Sequence, residues 1–224
     1  MEISPIALFR SPLKSKFGVP RQSGLAPSLR GVVELLGEWA DTDAVRGLEE
    51  FDYVWLVWAF SENVSSKKHA MVRPPRLGGN KRIGVFATRS SFRPNNLAIS
   101  SVKLERIYTE SSKTRIEVSG ADLMDGTPIY DIKPYIPEFD AHADAKGGFT
   151  DTVNWQSLEV DIPSELRSQL TQADITSIVE LLSEDPRPHY HTSTERVYGM
   201  RYKDMDVKFN VTGNYLKITG IDLI

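Results

Sequence analysis

The chain has no cysteine among its 224 residues. Disulfide bridges, thiolate-held zinc and iron–sulfur clusters are therefore excluded. With them go radical enzymes built on a cysteine-bound cluster and zinc deaminases with cysteine ligands. No apolar run approaches the roughly 20 residues of a membrane-spanning helix. The opening stretch MEISPIALFRSPLKSKFG has no charged segment followed by a long apolar one, so a signal peptide is not expected and a cytoplasmic location is the default. G-x-G-x-x-G, the P-loop and G-x-S-x-G are all missing, which removes the usual glycine-built phosphate cradles and the nucleophile elbow. One long window also lacks acid. From Ala70 to Leu104 there is no Asp or Glu, while Arg73, Arg76, Lys81, Arg82, Arg89, Arg93 and Lys103 fall inside it.

The remaining composition is that of an ordinary globular chain, with 40% hydrophobic and 25% charged residues and a net charge of −3. The length suits one large domain, or a medium one with a smaller companion. Charge is unevenly spread. From Glu34 to Glu62 there are eight acids and a single base, Arg46. A basic field inside an acidic protein points to a face that meets an anion; pairing of the basic window with the acidic segment is the plain alternative.

The first 140 residues read as β. SPIALFR, RGVVELLG, FDYVWLVWAF, RIGVFAT, LAISSVKLERIYTE and TRIEVSGADLM are short apolar or alternating runs with Gly or Pro punctuation. Many short strands with few helical periods suggest a closed or nearly closed sheet. DTDAVRGLEEF is the one helical turn expected there, and the aromatic run around Trp55 and Trp58 is expected in the core. EFDAHADAKGGFTDT reads as a linker. The last 70 or so residues read as a small α+β unit: SELRSQL opens a short helix after Pro163, Thr171 and Asp174 form a capping box before an apolar stripe, and RVYGMRYKDMDVKFNVTGNYLKITGI alternates like two or three antiparallel strands. The expected domains are residues 1–145 and 155–224.

Three polar constellations stand out. In KFGVPRQSG, Arg21 and Gln22 place planar donors between Pro20 and Gly24. In GVFATRSSFRPNNLAIS, Arg89 and Arg93 follow an apolar run, and Pro94, Asn95 and Asn96 fix a turn. In DLMDGTPIYDIKPYIPEFD, Asp125-Gly126-Thr127-Pro128 is a turn, after which Asp131, Lys133 and Tyr135 share one face of an extended segment. Acid, amine and phenol on one face suit proton work or ribose hydroxyls; a salt-bridged strand edge is the structural alternative. His189 and His191 alternate without acids at metal-ligand spacing, so no metal is expected. Trp155, Tyr190 and Tyr198 are aromatics on which a flipped base could stack.

Together KFGVPRQ, RPPRLGGN, GVFATRSSFRPN, DGTPIYDIKPY and DPRPHY resemble the TrmO type of tRNA methyltransferase, the TsaA-like or YaeB-like family, over residues 4 to 200. The resemblance implies a single-sheet β-barrel catalytic fold and a homodimer with the cofactor near the subunit boundary. It also implies methyl transfer from S-adenosylmethionine to N6 of threonylcarbamoyladenosine beside the tRNA anticodon. It assigns cofactor contacts to Pro20, Arg21 and Gln22, to Ser61 and Glu62, to Arg89, to Ile99, and to Asp125, Gly126, Thr127 and Pro128. Without a glycine loop, these side chains and turn amides would hold the nucleoside. Asp131, Lys133 and Tyr135 are then the catalytic candidates, with Asp131 or Tyr135 taking the N6 proton and Lys133 orienting the carbamoyl or threonyl group. Arg73, Arg76, Lys81, Arg82 and Arg93 are the candidates for RNA phosphates. The motif loops precede residue 140, so the first unit is expected to bind cofactor without the second. Where the family reads R-P-N-P-I-G, this chain has Arg93-Pro94-Asn95-Asn96-Leu97-Ala98. Two other readings are a non-catalytic module for an adenosyl ligand or RNA, and a methyltransferase for a small metabolite.

Overall fold

The structure is a computed structural model that describes residues 2–62, 69–74, 77–78, 81–153, 156–188 and 196–224. Arg76, Trp155, His189, Tyr190 and His191 lie outside the described residues.

The architecture is mainly β. Six strands form the first sheet: β1 (Ala7–Arg10), β2 (Arg30–Leu35), β3 (Tyr53–Ala59), β6 (Leu97–Glu110), β7 (Lys113–Ser119) and β8 (Pro128–Pro134). Their order is β1-β2-β7-β6-β3-β8, every pairing is antiparallel, and β8 pairs back onto β1 so that the sheet closes on itself. Alternation dictates what fills the interior. Val54, Leu56 and Trp58 of β3 point inward to meet Phe9, Val33, Val102, Ile116, Val118 and Ile129. Gly31 is part of that packing, because a Cβ there would sit 2.2 Å from the Phe9 ring. Trp58 is core as expected. Trp55 is not: one residue out of phase with Leu56, it lies on the outer face and donates its Nε1–H to Asp140 Oδ2 at 3.0 Å.

The run RIGVFAT forms less strand than its apolar residues suggest. Only Ile83–Gly84 (β5) is extended, paired with Met71–Val72 (β4), and Val85–Ala87 turns as a short 3-10 helix. Side chains take the carbonyls a ladder would use. Thr88 Oγ1 donates to Val85 O at 2.8 Å, and Arg93 Nη1 donates to Thr88 O at 2.5 Å and Val85 O at 3.3 Å. DTDAVRGLEEF likewise folds as short 3-10 turns, one of them capped by Asp41, whose carboxylate accepts from Asp43 N at 3.0 Å. A one-turn helix, α1 (Pro137–Asp140), follows β8.

The second sheet has the order β10-β11-β12-β9, formed by β9 (Glu159–Asp161), β10 (Tyr198–Tyr202), β11 (Met205–Thr212) and β12 (Tyr215–Leu223), with β9 parallel to β12. Two helices precede β10: α2 (Ser164–Arg167) and α3 (Gln172–Ser183). α3 starts at the expected cap: Asp174 N donates to Thr171 Oγ1 at 3.2 Å, and that hydroxyl donates to Asp174 Oδ2 at 2.6 Å. Its stripe of Ile175, Ile178, Leu181 and Leu182 packs on Met200, Val207, Phe209, Leu216 and Ile218.

This second core also contains Leu13, Ala26 and Leu29, with Phe17 and Val19 packed against it. The loop between β1 and β2 is therefore shared between the two units. Its Phe17 ring stacks on Tyr198 and Phe209, each 6.3 Å away. Tyr198, expected as a base-stacking platform, is buried here instead. The expectation that the first unit binds cofactor unaided meets a physical obstacle, since removing residues 156–224 would strip the cover from Leu13, Ala26 and Leu29.

Candidate functional site

Antiparallel connections alternate between the two ends of a sheet, and here the alternation sorts the motifs. The loops β1–β2 (residues 11–29), β3–β6 (60–96) and β7–β8 (120–127) all leave the same end of the closed sheet. They touch one another. Gly24 N donates to Gly120 O at 2.8 Å, Asp125 N to Leu13 O at 2.9 Å, and Gly126 N to Phe9 O at 2.8 Å. Arg89 Nη1 donates to Gln22 Oε1, joining two motifs that lie 67 residues apart. The acidic segment 36–52 joins β2 to β3 at the opposite end. Among the described residues no salt bridge links it to the basic window.

The donor set at the loop end is open and cationic. Arg89 is exposed, Arg21 and Gln22 are half-buried, and Pro20 is buried. Arg21 Nη2 donates to Asp185 O at 2.8 Å. A shallow cleft of about 330 Å³ lies between Lys16, Phe17, Gly18, Val19, Arg21 and Pro186. Ser61 and Glu62 sit exposed just beyond β3, at this same end. Ile99 is 52% exposed on the outer face, opposite Val57.

The Asp125–Pro128 turn is held by internal bonds. Asp125 Oδ1 accepts from Ser11 N at 3.0 Å and Oδ2 from Lys14 Nζ at 2.9 Å, while Thr127 Oγ1 donates to Met124 O at 2.7 Å. Burial pushes the Asp125 carboxyl up, but the Ser11 amide and Lys14 outweigh it and hold the group below its ordinary value. The turn's amides, expected to hold the nucleoside, are spent inside the protein on the carbonyls of Leu13, Phe9 and Met124, so what the turn offers a ligand is the exposed remainder of Gly126, whose φ of 77° suits glycine.

Asp131 and Lys133 share the outer face of β8 as alternation requires, and Tyr135 follows just past its end. Lys133 Nζ pairs with Asp131 Oδ2 at 3.1 Å, both well exposed. The Tyr135 ring leans on Trp55 at 5.6 Å and Tyr53 at 6.2 Å. Among the described residues, no hydrogen bond or ion pair ties these three to Gln22 or Arg89. In the basic window Arg73, Lys81 and Arg82 are exposed and have no acidic partner among the described residues. Arg93, expected at RNA phosphates, has Nη1 committed to the Val85 and Thr88 carbonyls and its guanidinium over the Phe86 ring at 5.9 Å.

The departure from R-P-N-P-I-G has a structural consequence. Asn96 adopts φ 53°, the left-handed region, and its carbonyl accepts from Phe60 N at 3.0 Å. A proline at that position, fixed near −65°, cannot follow this path, whereas asparagine tolerates it. Ala98 lies within β6, so no positive φ is needed there.

Sequence reasoning missed Asp122. Trp58 Nε1 donates to Ser100 Oγ at 2.9 Å, and Ser100 Oγ donates to Asp122 Oδ1 at 2.6 Å. Burial raises the Asp122 carboxyl above its ordinary value, against the Ser100 bond and the nearby Arg89 charge, which lower it. The available signal was position: Ala121 and Leu123 are buried on either side, an unusual setting for a carboxylate. Also missed was the docking of loop 11–29 on the second unit, although Leu13, Phe17, Val19, Ala26 and Leu29 are more apolar than a solvated loop requires.

Comparison with known proteins covers both units. The profile of the tRNA-methyltransferase O N-terminal domain matches residues 8–141, and that of the TrmO C-terminal domain matches residues 155–224. The Escherichia coli (strain K12) tRNA (adenine(37)-N6)-methyltransferase is 37% identical, spanning 99% of this chain and 97% of that protein. A putative S-adenosylmethionine-dependent methyltransferase, RcsF, from Pseudomonas aeruginosa is 42% identical over 93% of this chain and 91% of its own length. Among solved structures, the crystal structure of TrmO from Pseudomonas aeruginosa superposes with a TM-score of 0.79 at 33% identity, covering 99% of this chain and 98% of that one.

Proposed function

The chain belongs to the tRNA-methyltransferase O family, and from that premise we propose how its loop end performs the reaction. It is an S-adenosylmethionine-dependent enzyme that methylates N6 of adenine 37 in tRNA. The finer reading is that this adenine carries a threonylcarbamoyl group, that it lies in the anticodon loop, and that catalysis takes place in the cytoplasm. Residues 1–145 supply the catalytic barrel and residues 155–224 a supporting domain.

The observation that carries the site assignment is the Arg89–Gln22 bond, which brings two motif loops together at one end of the sheet. The donors there fit the cofactor. Guanidiniums suit its carboxylate, and the Gln22 amide and the turn backbone at Gly126 suit ribose and adenine edges. When bound, S-adenosylmethionine supplies a methyl group on a sulfonium, open to in-line attack. Pro20, Arg21, Gln22, Ser61, Glu62, Arg89, Ile99 and Asp125 to Pro128 are the residues we assign to holding it. Holding the reactants at near-attack distance contributes most of the acceleration. The attacked N6 has a delocalised lone pair and must shed a proton. Asp131 is our candidate acceptor, Lys133 beside it orients the carbonyl or carboxylate of the modified base, and Tyr135 walls that face with Trp55.

We assign phosphate contacts to Arg73, Arg76, Lys81 and Arg82. The outer face also leaves apolar side chains open: Tyr53, Ile99, Ile136 and Phe139 are all exposed large hydrophobics. We assign this face to a homodimer interface that brings the cofactor cleft close to the subunit boundary. Incubation with unmodified-at-N6 tRNA and labelled S-adenosylmethionine, followed by nucleoside analysis, tests the function. Label on N6 of the position-37 nucleoside is expected; label on a small metabolite and none on tRNA would sink the reading.

A further inference from the structure

The cofactor arm is fixed from outside the sheet that carries the other motifs. Its loop, residues 11–29, is tied to the second unit at several points. Lys203 N donates to Pro12 O at 2.6 Å, and Ser28 donates through both N and Oγ to Glu180 Oε2, at 2.9 and 2.6 Å. Gly18 lies so close to Met200 that a Cβ would fall 2.5 Å from the sulfur. At the tip, Arg21 Nη2 meets the carbonyl of Asp185, 164 residues away.

Asp185 is itself held in an uncommon conformation. Its φ is 46°, left-handed, two residues past the end of α3. Its carboxylate is gripped by Arg187 in two-pronged fashion: Nε to Oδ1 at 2.7 Å and Nη2 to Oδ2 at 2.9 Å, with Arg187 N adding 3.3 Å to Oδ1. Both side chains are largely covered, at 19% and 16% exposure. Arg187 is therefore spent inside the protein rather than offered to RNA. Burial alone would raise the Asp185 carboxyl; Arg187 outweighs it and keeps the group below its ordinary value, which matches an intact ion pair.

A free arginine side chain loses rotamer entropy when it binds. Orientation before the ligand arrives removes part of that cost. We propose that Asp185, in the C-terminal unit, is a positioning residue for the cofactor arm: its carbonyl fixes the Arg21 guanidinium, and Arg187 fixes Asp185. The sequence Asp185-Pro186-Arg187 then serves cofactor binding through Arg21, and the second unit completes the cofactor site as well as covering the loop. The inference rests on the assignment of Arg21 to the cofactor.

The test is a double-mutant cycle in the full-length protein, read as S-adenosylmethionine affinity by calorimetry with a thermal melt on each variant. Arg187→Ala is expected to weaken binding roughly 10-fold, the scale of one oriented charge-assisted bond, and Arg187→Lys less. Arg21→Ala should also weaken it, and Arg21→Ala with Arg187→Ala should be no worse than Arg21→Ala alone. A role confined to folding would not produce that non-additivity. Wild-type affinity in Arg187→Ala, or losses that add in full, would overturn the proposal. If Arg187→Ala melts too low to assay, Asp185→Asn and Arg187→Lys keep the turn and a partial grip, and the same cycle with Arg21→Ala decides. Wild-type protein that binds the cofactor but leaves tRNA unmethylated would sink the functional reading alone.

Discussion

The two ends of the closed sheet are built to opposite rules. At one end, loops from three connections exchange hydrogen bonds with each other and carry most of the residues proposed to hold the cofactor, Arg21, Gln22, Arg89 and the Asp125–Pro128 turn among them. At the other, the acidic segment 36–52 folds into 3-10 turns whose side-chain bonds are local, such as Asp41 with Asp43 and Arg46 with Asp43. Chain topology explains the separation. In an antiparallel ring, successive connections fall on alternate ends, so segments adjacent in sequence but opposite in charge are set apart. The basic window keeps its positive field because its acidic neighbour faces away.

The sharpest way to break this comparison is one arginine from each end. Arg89→Ala should cost roughly 1–3 kcal/mol of cofactor affinity, as a lost charge-assisted bond does. Arg46→Ala, which removes only the surface pair with Asp43, should leave that affinity unchanged. Calorimetry on both variants decides, and equal losses would erase the distinction between the ends.

A smaller effect concerns RNA. Binding of tRNA should weaken steeply with salt, and neutralising Arg73, Lys81 or Arg82 should each lower the log–log slope by about one unit. Arg93→Ala should act differently. It withdraws the guanidinium that ties the Val85 and Thr88 carbonyls together, so it should disturb the Arg89 loop and cofactor binding more than the salt slope. Filter binding across a salt series, with cofactor calorimetry beside it, separates the two classes. Slopes unchanged in all three phosphate variants would return the window to a solvated surface.

The smallest expected effect is in pH. Asp122, near the loop end, has a raised carboxyl, whereas Asp140, beyond the far end of β8, is held low by the Ile136 amide and Trp55. The signs are opposite. Ionised Asp122 weakens the fold at neutral pH, and that penalty is relieved as pH falls through its raised value toward the unfolded one, about 3.9. The Asp140 contribution is present above the unfolded value and lost as pH falls through its own lowered one. Asp122→Asn should therefore raise the melting temperature at pH 7 relative to pH 4, and Asp140→Asn should lower it at pH 7. A shift of the same sign in both variants would contradict the assignment of burial as the cause at Asp122.

Much of this was legible in the sequence, for identifiable reasons. The expected run LAISSVKLERIYTE is β6 to the residue, because alternation and β-branched residues act locally. The cap of α3 was legible for the same reason. RIGVFAT misled because the bonds that bend it come from Thr88 and from Arg93, several residues downstream. Trp55 misled because an aromatic residue suits either face of a sheet whose outside is partly apolar. At the site, the motif residues Gln22 and Arg89 were readable as types, but their contact was not, since it depends on the closure of the ring. The Arg21–Asp185 bond was the least legible. Both residues sit in recognisable motifs, yet nothing local links positions in different units.

The measurement that bears most directly on the two-ended account is amide hydrogen exchange of the full-length protein with and without S-adenosylmethionine. The account predicts slowed exchange in residues 18–24, 86–94 and 120–128, with no change in 36–52. Protection of the acidic segment, or none in the three loops while the cofactor is bound, would contradict it.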